Sequence, residues 1–234
     1  MGLWITLRMD KERSFFRQNL LQMISNQQKF DGDCLVLASG YFWEEIDPKE
    51  SDKYSISLDR LANAIKDNER IREVQVIGAM GSPTRLNAFC DNLEDELNGR
   101  EIVRREIKGK NWHAKVAMKL HSDPASGEKI PVCAIIGSSN LTRPAYGIKD
   151  DIPENVSSSF GKFNHECDVL IFSNAGFSNS QDNIKPPVFP GFDGQAIGSI
   201  YFTELPKDCP DEIEQMKRLW RDIDKFAVKV ERSK

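Results

Sequence analysis

Histidine is scarce: only His113, His121 and His165 occur in 234 residues. None is paired at a ligand spacing such as HExxH, so no metal and no other cofactor is expected. Cysteine is sparse as well. The five present (Cys34, Cys90, Cys133, Cys167, Cys209) are an odd number without a CxxC pair, which excludes a paired-disulfide framework and a zinc ribbon. Cys34, Cys133 and Cys167 lie in apolar runs, where a reduced thiol serves as a small hydrophobe. A cytoplasmic protein is expected from this usage. No apolar run approaches membrane-spanning length and no signal-peptide pattern opens the chain, so no membrane partner is expected. Met1-Gly2 with Thr6 meets the myristoylation pattern in form only. Basic excess is missing too. The net charge of -4 and a pI near 5.5 argue against a chain that binds nucleic acid by bulk charge. No internal repeat is present.

Alternating apolar periodicities fill the first half. Lys11–Asn26 reads as an amphipathic helix with Phe15, Phe16, Leu20, Leu21 and Ile24 on one side. Cys34–Ala38 reads as a buried strand, Ser57–Lys66 as a helix and Glu73–Ile77 as a second strand. A further helix begins at Ser82, with Ser82 as its cap and Pro83 at its first position. Glu101–Ile107, Trp112–Leu120, Pro131–Ile136 and Cys167–Phe172 read as strands, with Asp123–Lys129 as a hairpin loop. Gly147–Phe163 reads as a surface insertion, Asn174–Gly194 as a long loop and Pro210–Val230 as a charged amphipathic helix. The fold class is therefore α/β, expected as a mixed, largely parallel sheet with helices on both faces. One domain is expected over 1–234, its core at about 33–172 and a C-terminal loop and helix over 173–234.

Charge is uneven along the chain. Arg100, Arg104, Arg105, Lys108, Lys110, Lys115 and Lys119 flank His113, while acids gather at Glu44–Asp52, Asp91–Glu96 and Asp208–Glu214. A local basic patch attracts phosphates; the competing reading is a solvated strand face with Glu101 and Glu106 as partners. Gly78-Ala79-Met80-Gly81-Ser82 follows a strand and opens a helix, but it lacks the Lys-Ser/Thr ending of a phosphate-cradling loop. It reads as a tight turn with a helix cap.

Two segments carry the chemistry. Asn111-Trp112-His113-Ala114-Lys115 puts an imidazole and an ammonium two residues apart, on one face of a strand. Ile135-Ile136-Gly137-Ser138-Ser139-Asn140 ends another apolar strand in a turn of hydroxyls and an amide. A nucleophile or base, a cation, hydroxyls and an amide are what a phosphodiester requires.

His113-x-Lys115, the strand ending in Gly137-Ser138-Ser139-Asn140, and Glu166 on a later strand together resemble the motif of the phospholipase D superfamily. In that motif HxK is followed after four residues by Asp, and then by GSxxN or a close variant. Here the Asp position is Leu120, and the Asp123–Lys129 hairpin lengthens the interval to the glycine. The set His113, Lys115, Asn140 and Glu166 is similar to that of the metal-independent restriction endonucleases of the superfamily, as is the turn Ser39-Gly40-Tyr41-Phe42.

The resemblance implies a phospholipase D-like fold over Asp33–Phe172 and a role for each residue. His113 attacks phosphorus and becomes a phosphohistidine. Lys115 neutralises a non-bridging oxygen and Asn140 donates to the phosphate. Glu166 steadies the imidazole. Ser138 and Ser139, opening a helix through Thr142–Tyr146, bind the substrate together with Arg104 and Arg105. With one HxK where the family joins two, a homodimer with a composite active site is implied, the alternative second imidazole being His121 or His165 of the same subunit. Its substrate is DNA, with RNA the nearest alternative. The residues after Phe172 are few and loop-rich for a DNA-reading domain, which leaves three expectations open: a catalytic domain alone, a non-specific nuclease, or a subunit that relies on a separate specificity subunit. Two other readings stand beside this one: a hydrolase of phospholipids or other phosphodiesters, and a catalytically silent nucleic-acid-binding module.

Overall fold

A computed structural model of the chain describes residues 2–8, 14–25, 31–40, 42, 58–78, 83–108, 115–139, 141, 146, 166–172, 200–204 and 210–230. Among them are nine strands and four helices. In chain order they are β1 (Gly2–Arg8), α1 (Phe15–Ser25), β2 (Cys34–Ser39), α2 (Asp59–Asp67), β3 (Glu73–Gly78), α3 (Pro83–Glu96), β4 (Val103–Ile107), β5 (Lys115–Ser122), β6 (Lys129–Gly137), β7 (Glu166–Phe172), β8 (Ile200–Glu204), α4 (Pro210–Phe226) and β9 (Ala227–Lys229). The strands form one sheet in the order β8-β1-β7-β6-β5-β2-β3-β4-β9. Strands from before residue 33 and after residue 172 thus join the same sheet as the expected core.

The helices form where apolar residues recur every three to four positions. In α1, Phe16, Leu20, Met23 and Ile24 are buried. Its first turn is capped by Ser14, whose Oγ accepts from Arg17 N at 3.2 Å. In α2, Leu61, Ala62, Ala64 and Ile65 are buried. The end of α3 turns off through Asn98 (φ 57°) and Gly99 (φ 79°), and Gly99 N donates back to Glu94 O at 2.8 Å.

These three helices pack on one face of the sheet, with Leu35, Leu37, Val74, Val76, Ala117, Cys133, Ile135 and Leu170. The opposite face carries Val36, Ala38, Ile77, Val116, Met118 and Ala134, covered by Met216, Trp220 and Ile223 of α4. The period-two alternation of β2, β3, β5 and β6 sorts their side chains between the two layers.

The class is α/β, as expected, but the balance of strand directions differs from the expectation. Among the described strands, only β2–β3 and β3–β4 pair in parallel. The other pairings are antiparallel: β1 with β7 and β8, β2 with β5, β4 with β9, β5 with β6, and β6 with β7. The cause is local. Helices join β2 to β3 and β3 to β4, and only such crossovers return a strand in parallel. The β5–β6 connection is a tight hairpin, closed by Asp123 N to Glu128 O at 2.8 Å with Gly127 at φ 71°. The C-terminal helix also ends sooner than its amphipathic pattern. Residues 227–229 leave it to pair with β4, where Arg105 faces Lys229.

Candidate active site

Strand directions bring several chain segments to one end of the sheet. The C-terminal ends of β2 and β6 and the N-terminal ends of β5 and β7 coincide there, because β5 runs against both β2 and β6, and β7 against β6. Lys115 lies directly opposite Gly137, and Gly137 directly opposite Asp168. Ala38 pairs with Val116, which puts Ser39 level with Lys115. Strands lie about 4.8 Å apart, so Lys115 and Asp168 are separated by about 10 Å of sheet. Residues opposite one another share a face, and this is the face that carries α1 to α3. Lys115 keeps phase with Lys119, whose Nζ donates to the α1 carbonyls Met23 O at 3.3 Å and Ile24 O at 3.4 Å.

The serine turn is held from β7. Ser138 N donates to Cys167 O at 3.1 Å, and Cys167 N donates to Ser138 Oγ at 3.0 Å. The Ser138 hydroxyl donates to Glu166 Oε2. A charged acceptor is the stronger partner, so it takes that proton in preference to Cys167 O at 3.4 Å. Ser138 is exposed and Glu166 is buried. Glu166 stands 26 residues after Asn140 in sequence, yet antiparallel pairing of β6 with β7 returns it to the serine turn.

Ser139 is buried and faces a second carboxylate. Its Oγ donates to Asp168 Oδ2 at 2.6 Å and its N–H donates to Asp168 Oδ1 at 3.2 Å. Asp168 is 2% exposed. Burial pushes its carboxyl up to about 6; the Ser139 bonds pull the other way and the charge of Glu166 adds to the rise. Gly137 is the residue that admits this carboxylate. A Cβ there would lie 2.5 Å from Cys167 O and 2.7 Å from Asp168 Cα, and closer still to Asp168 Oδ1.

The chain beyond the turn is tied down as well. Leu141 N donates to Ser39 Oγ at 3.1 Å, and Leu141 bridges to Phe42. Tyr146 packs edge-on against Phe16 at 6.4 Å, with the Arg17 guanidinium 5.6 Å from its ring centre.

Of the residues expected from the sequence, Lys115, Ser138, Ser139 and Glu166 meet at this end of the sheet. His113 and Asn140 lie outside the described residues, as do His165, the long loops at 147–163 and 174–194, and most of the helix expected at Thr142–Tyr146. Arg104 and Arg105 do not join the group. Arg104 is 4% exposed and its Nη2 bonds Asp91 Oδ1 at 2.8 Å and Glu94 Oε2 at 2.7 Å on α3. Arg105 points to the other face, where Nη1 meets Asp224 Oδ1 at 2.7 Å and Gln75 Oε1 at 3.0 Å.

Most of the described basic cluster is likewise engaged elsewhere. Lys119 is fully buried, Arg100 donates to Ile71 O at 3.2 Å, and Lys108 approaches Glu106 at 3.8 Å. Burial lowers the Lys119 ammonium from its ordinary value. Lys115 is half-buried, and no ion pair joins it to another described residue.

Asp168 was not singled out by sequence reasoning, and Ser39 entered it only as part of the Ser39-Gly40-Tyr41-Phe42 turn. The signal for Asp168 was a carboxylate inside an apolar strand, two residues from Glu166 and therefore on its face. No three His, Cys, Asp or Glu side chains gather to hold a metal ion among the described residues. No described helix is long and apolar enough to cross a membrane. No protein family matches the chain, and no curated protein matches it.

Proposed function

We propose that this protein is a metal-independent phosphodiesterase that cleaves nucleic acid, a DNA endonuclease of the restriction or defence type, acting through a covalent phosphohistidine at His113. The supporting observation is the convergence of Lys115 with the Ser138–Ser139 turn and Glu166 at one end of the sheet. His113 precedes Lys115 by two residues, the spacing that shares a strand face.

In this reading an imidazole nitrogen of His113 attacks phosphorus in line, and the bond to the leaving oxygen breaks. Lys115 meets the negative charge on a non-bridging oxygen as a point charge, and Asn140 donates its amide to a second. The leaving oxygen takes a proton from another imidazole. Water then attacks phosphorus and gives its proton to that second imidazole, while the P–N bond breaks and frees the ring of His113. Glu166 uses one oxygen on Ser138, which leaves Oε1 to accept from the other ring nitrogen of His113 and steady its charged form. The second imidazole is His113 of another copy, so the active unit is a homodimer with a composite site. The net acidic chain fits a protein whose DNA affinity comes from elsewhere, such as a separate specificity subunit.

The test is cleavage of plasmid and single-stranded DNA in excess EDTA by the wild type and by His113→Ala. Cleavage in EDTA by the wild type, lost by about a thousandfold or more in the variant, is the expected result. Undiminished cleavage by the variant refutes the mechanism. Inactivity of the wild type on DNA, with turnover of lipid or RNA, moves the assignment to the corresponding hydrolase. Dimeric, inactive protein that binds DNA points to a silent module.

A further inference from the structure

The carboxylate of Asp168 has no role in the chemistry above, and its placement is costly. A buried carboxylate is disfavoured unless its oxygens are satisfied. Here both oxygens accept from Ser139, through its hydroxyl and its backbone N–H. Gly137, directly opposite on β6, has no side chain, and any Cβ there would collide with the carboxylate. Ser139 is 1% exposed, so without Asp168 it would hold two buried donors with no acceptor. On the far side of Asn140, Leu141 N is held by Ser39 Oγ. The two sequence neighbours of Asn140 are therefore each fixed by a buried hydrogen bond, one from β7 and one from β2.

We propose that Asp168 is a positioning residue: by holding Ser139, with Ser39 holding Leu141, it fixes the backbone from which Asn140 is presented to the phosphate. The inference rests on the phosphodiesterase reading above. A misplacement of about 1 Å at a reacting group costs about a hundredfold in rate. The loss falls on kcat, because the Asn140 contact strengthens as charge builds on the phosphoryl oxygens.

The test measures kcat and KM for bis(p-nitrophenyl) phosphate in EDTA, with the full chain carrying Asp168→Ala, Asn140→Ala or both. Asp168→Ala is expected to lower kcat about a hundredfold with KM changed less than about threefold. The double variant is expected to lie within about threefold of Asn140→Ala alone, since one change has already removed what the other positions. Asp168→Asn keeps an acceptor for Ser139 N–H and is expected to recover at least about tenfold over the alanine variant. Thermal melts by circular dichroism accompany each variant. Should Asp168→Ala fail to fold, Ser139→Ala replaces it, with an expected kcat loss of about tenfold that again vanishes in the Asn140→Ala background. Additive losses, or an unchanged kcat in a folded variant, overturn the positioning role while the phosphodiesterase reading stands. A wild type that does not turn over the diester, or a His113→Ala variant that does, overturns that reading and this inference with it.

Discussion

Replacing Asp168 by Asn should remove a pH dependence of stability that the burial of this side chain imposes on the wild type. The folded carboxyl titrates at about 6 against an ordinary 3.8. The folded state therefore holds the proton more tightly than the unfolded chain. The stability this contributes is fully present below 3.8 and is lost as pH rises through 6. At about 1.36 kcal/mol per unit, ionising Asp168 costs the folded state about 3 kcal/mol at high pH, most of it appearing between about pH 4 and pH 8. Glu166 on the same strand faces Asp168 and adds to the cost. Among the described residues, Gly137, Ser138 and Ser139 on β6 bring no charge, and the cation on the same row is Lys115, two strands away. The amide that replaces the carboxyl in the Asp168→Asn variant cannot ionise. Urea unfolding of both proteins across this range measures the difference directly. The wild type is expected to lose about 2 kcal/mol relative to Asp168→Asn from about pH 4 to pH 8. A difference that stays constant, or one that grows in favour of the wild type as pH rises, refutes the burial argument.

Three other outcomes are expected. Gly137→Ala sets a methyl against Asp168 and Cys167 O and should destabilise by about 1–3 kcal/mol, read as a lower urea midpoint at unchanged slope. Lys119→Met removes a buried amine of similar length; it should leave the salt dependence of DNA cleavage unchanged, whereas Lys115→Met should weaken cleavage at every salt concentration. Arg104→Met leaves Glu94 buried without its cation and should cost about 3 kcal/mol in denaturant unfolding, with the remaining folded protein cleaving at the wild-type rate.

Much of the first half was legible because local periodicity decides it. The apolar spacing of α1 and α2 and the unbroken runs of β2 and β3 give element type without tertiary information. Strand direction was legible too, had helix content been weighed between successive strands. No helix was read between the strands at 112–120 and 131–136, and consecutive strands without a crossover pair antiparallel. Strands β1 and β8 went unread because pairing with each other and with β7 defines them. Depth was the hardest property to read. Arg104 and Arg105 looked like one basic patch, but neighbouring strand residues point to opposite faces, and each meets acids of a different helix. Lys119 shares a face with Lys115 yet lies under α1, which no local pattern announces. At the site, the Gly137-Ser138-Ser139 turn was legible as a motif. Its two carboxylate partners depend on the β6–β7 register, which sequence spacing alone does not give.

The central claim is that phosphoryl transfer passes through His113 in two displacements. The stereochemical course at phosphorus tests it most directly, using a DNA substrate with a single chiral phosphorothioate at the cleaved bond, in EDTA and isotopically labelled water. Each in-line displacement inverts phosphorus, so attack by His113 followed by attack by water predicts net retention of configuration. Net inversion, the mark of a single direct attack by water, or the absence of any cleavage, would contradict the account.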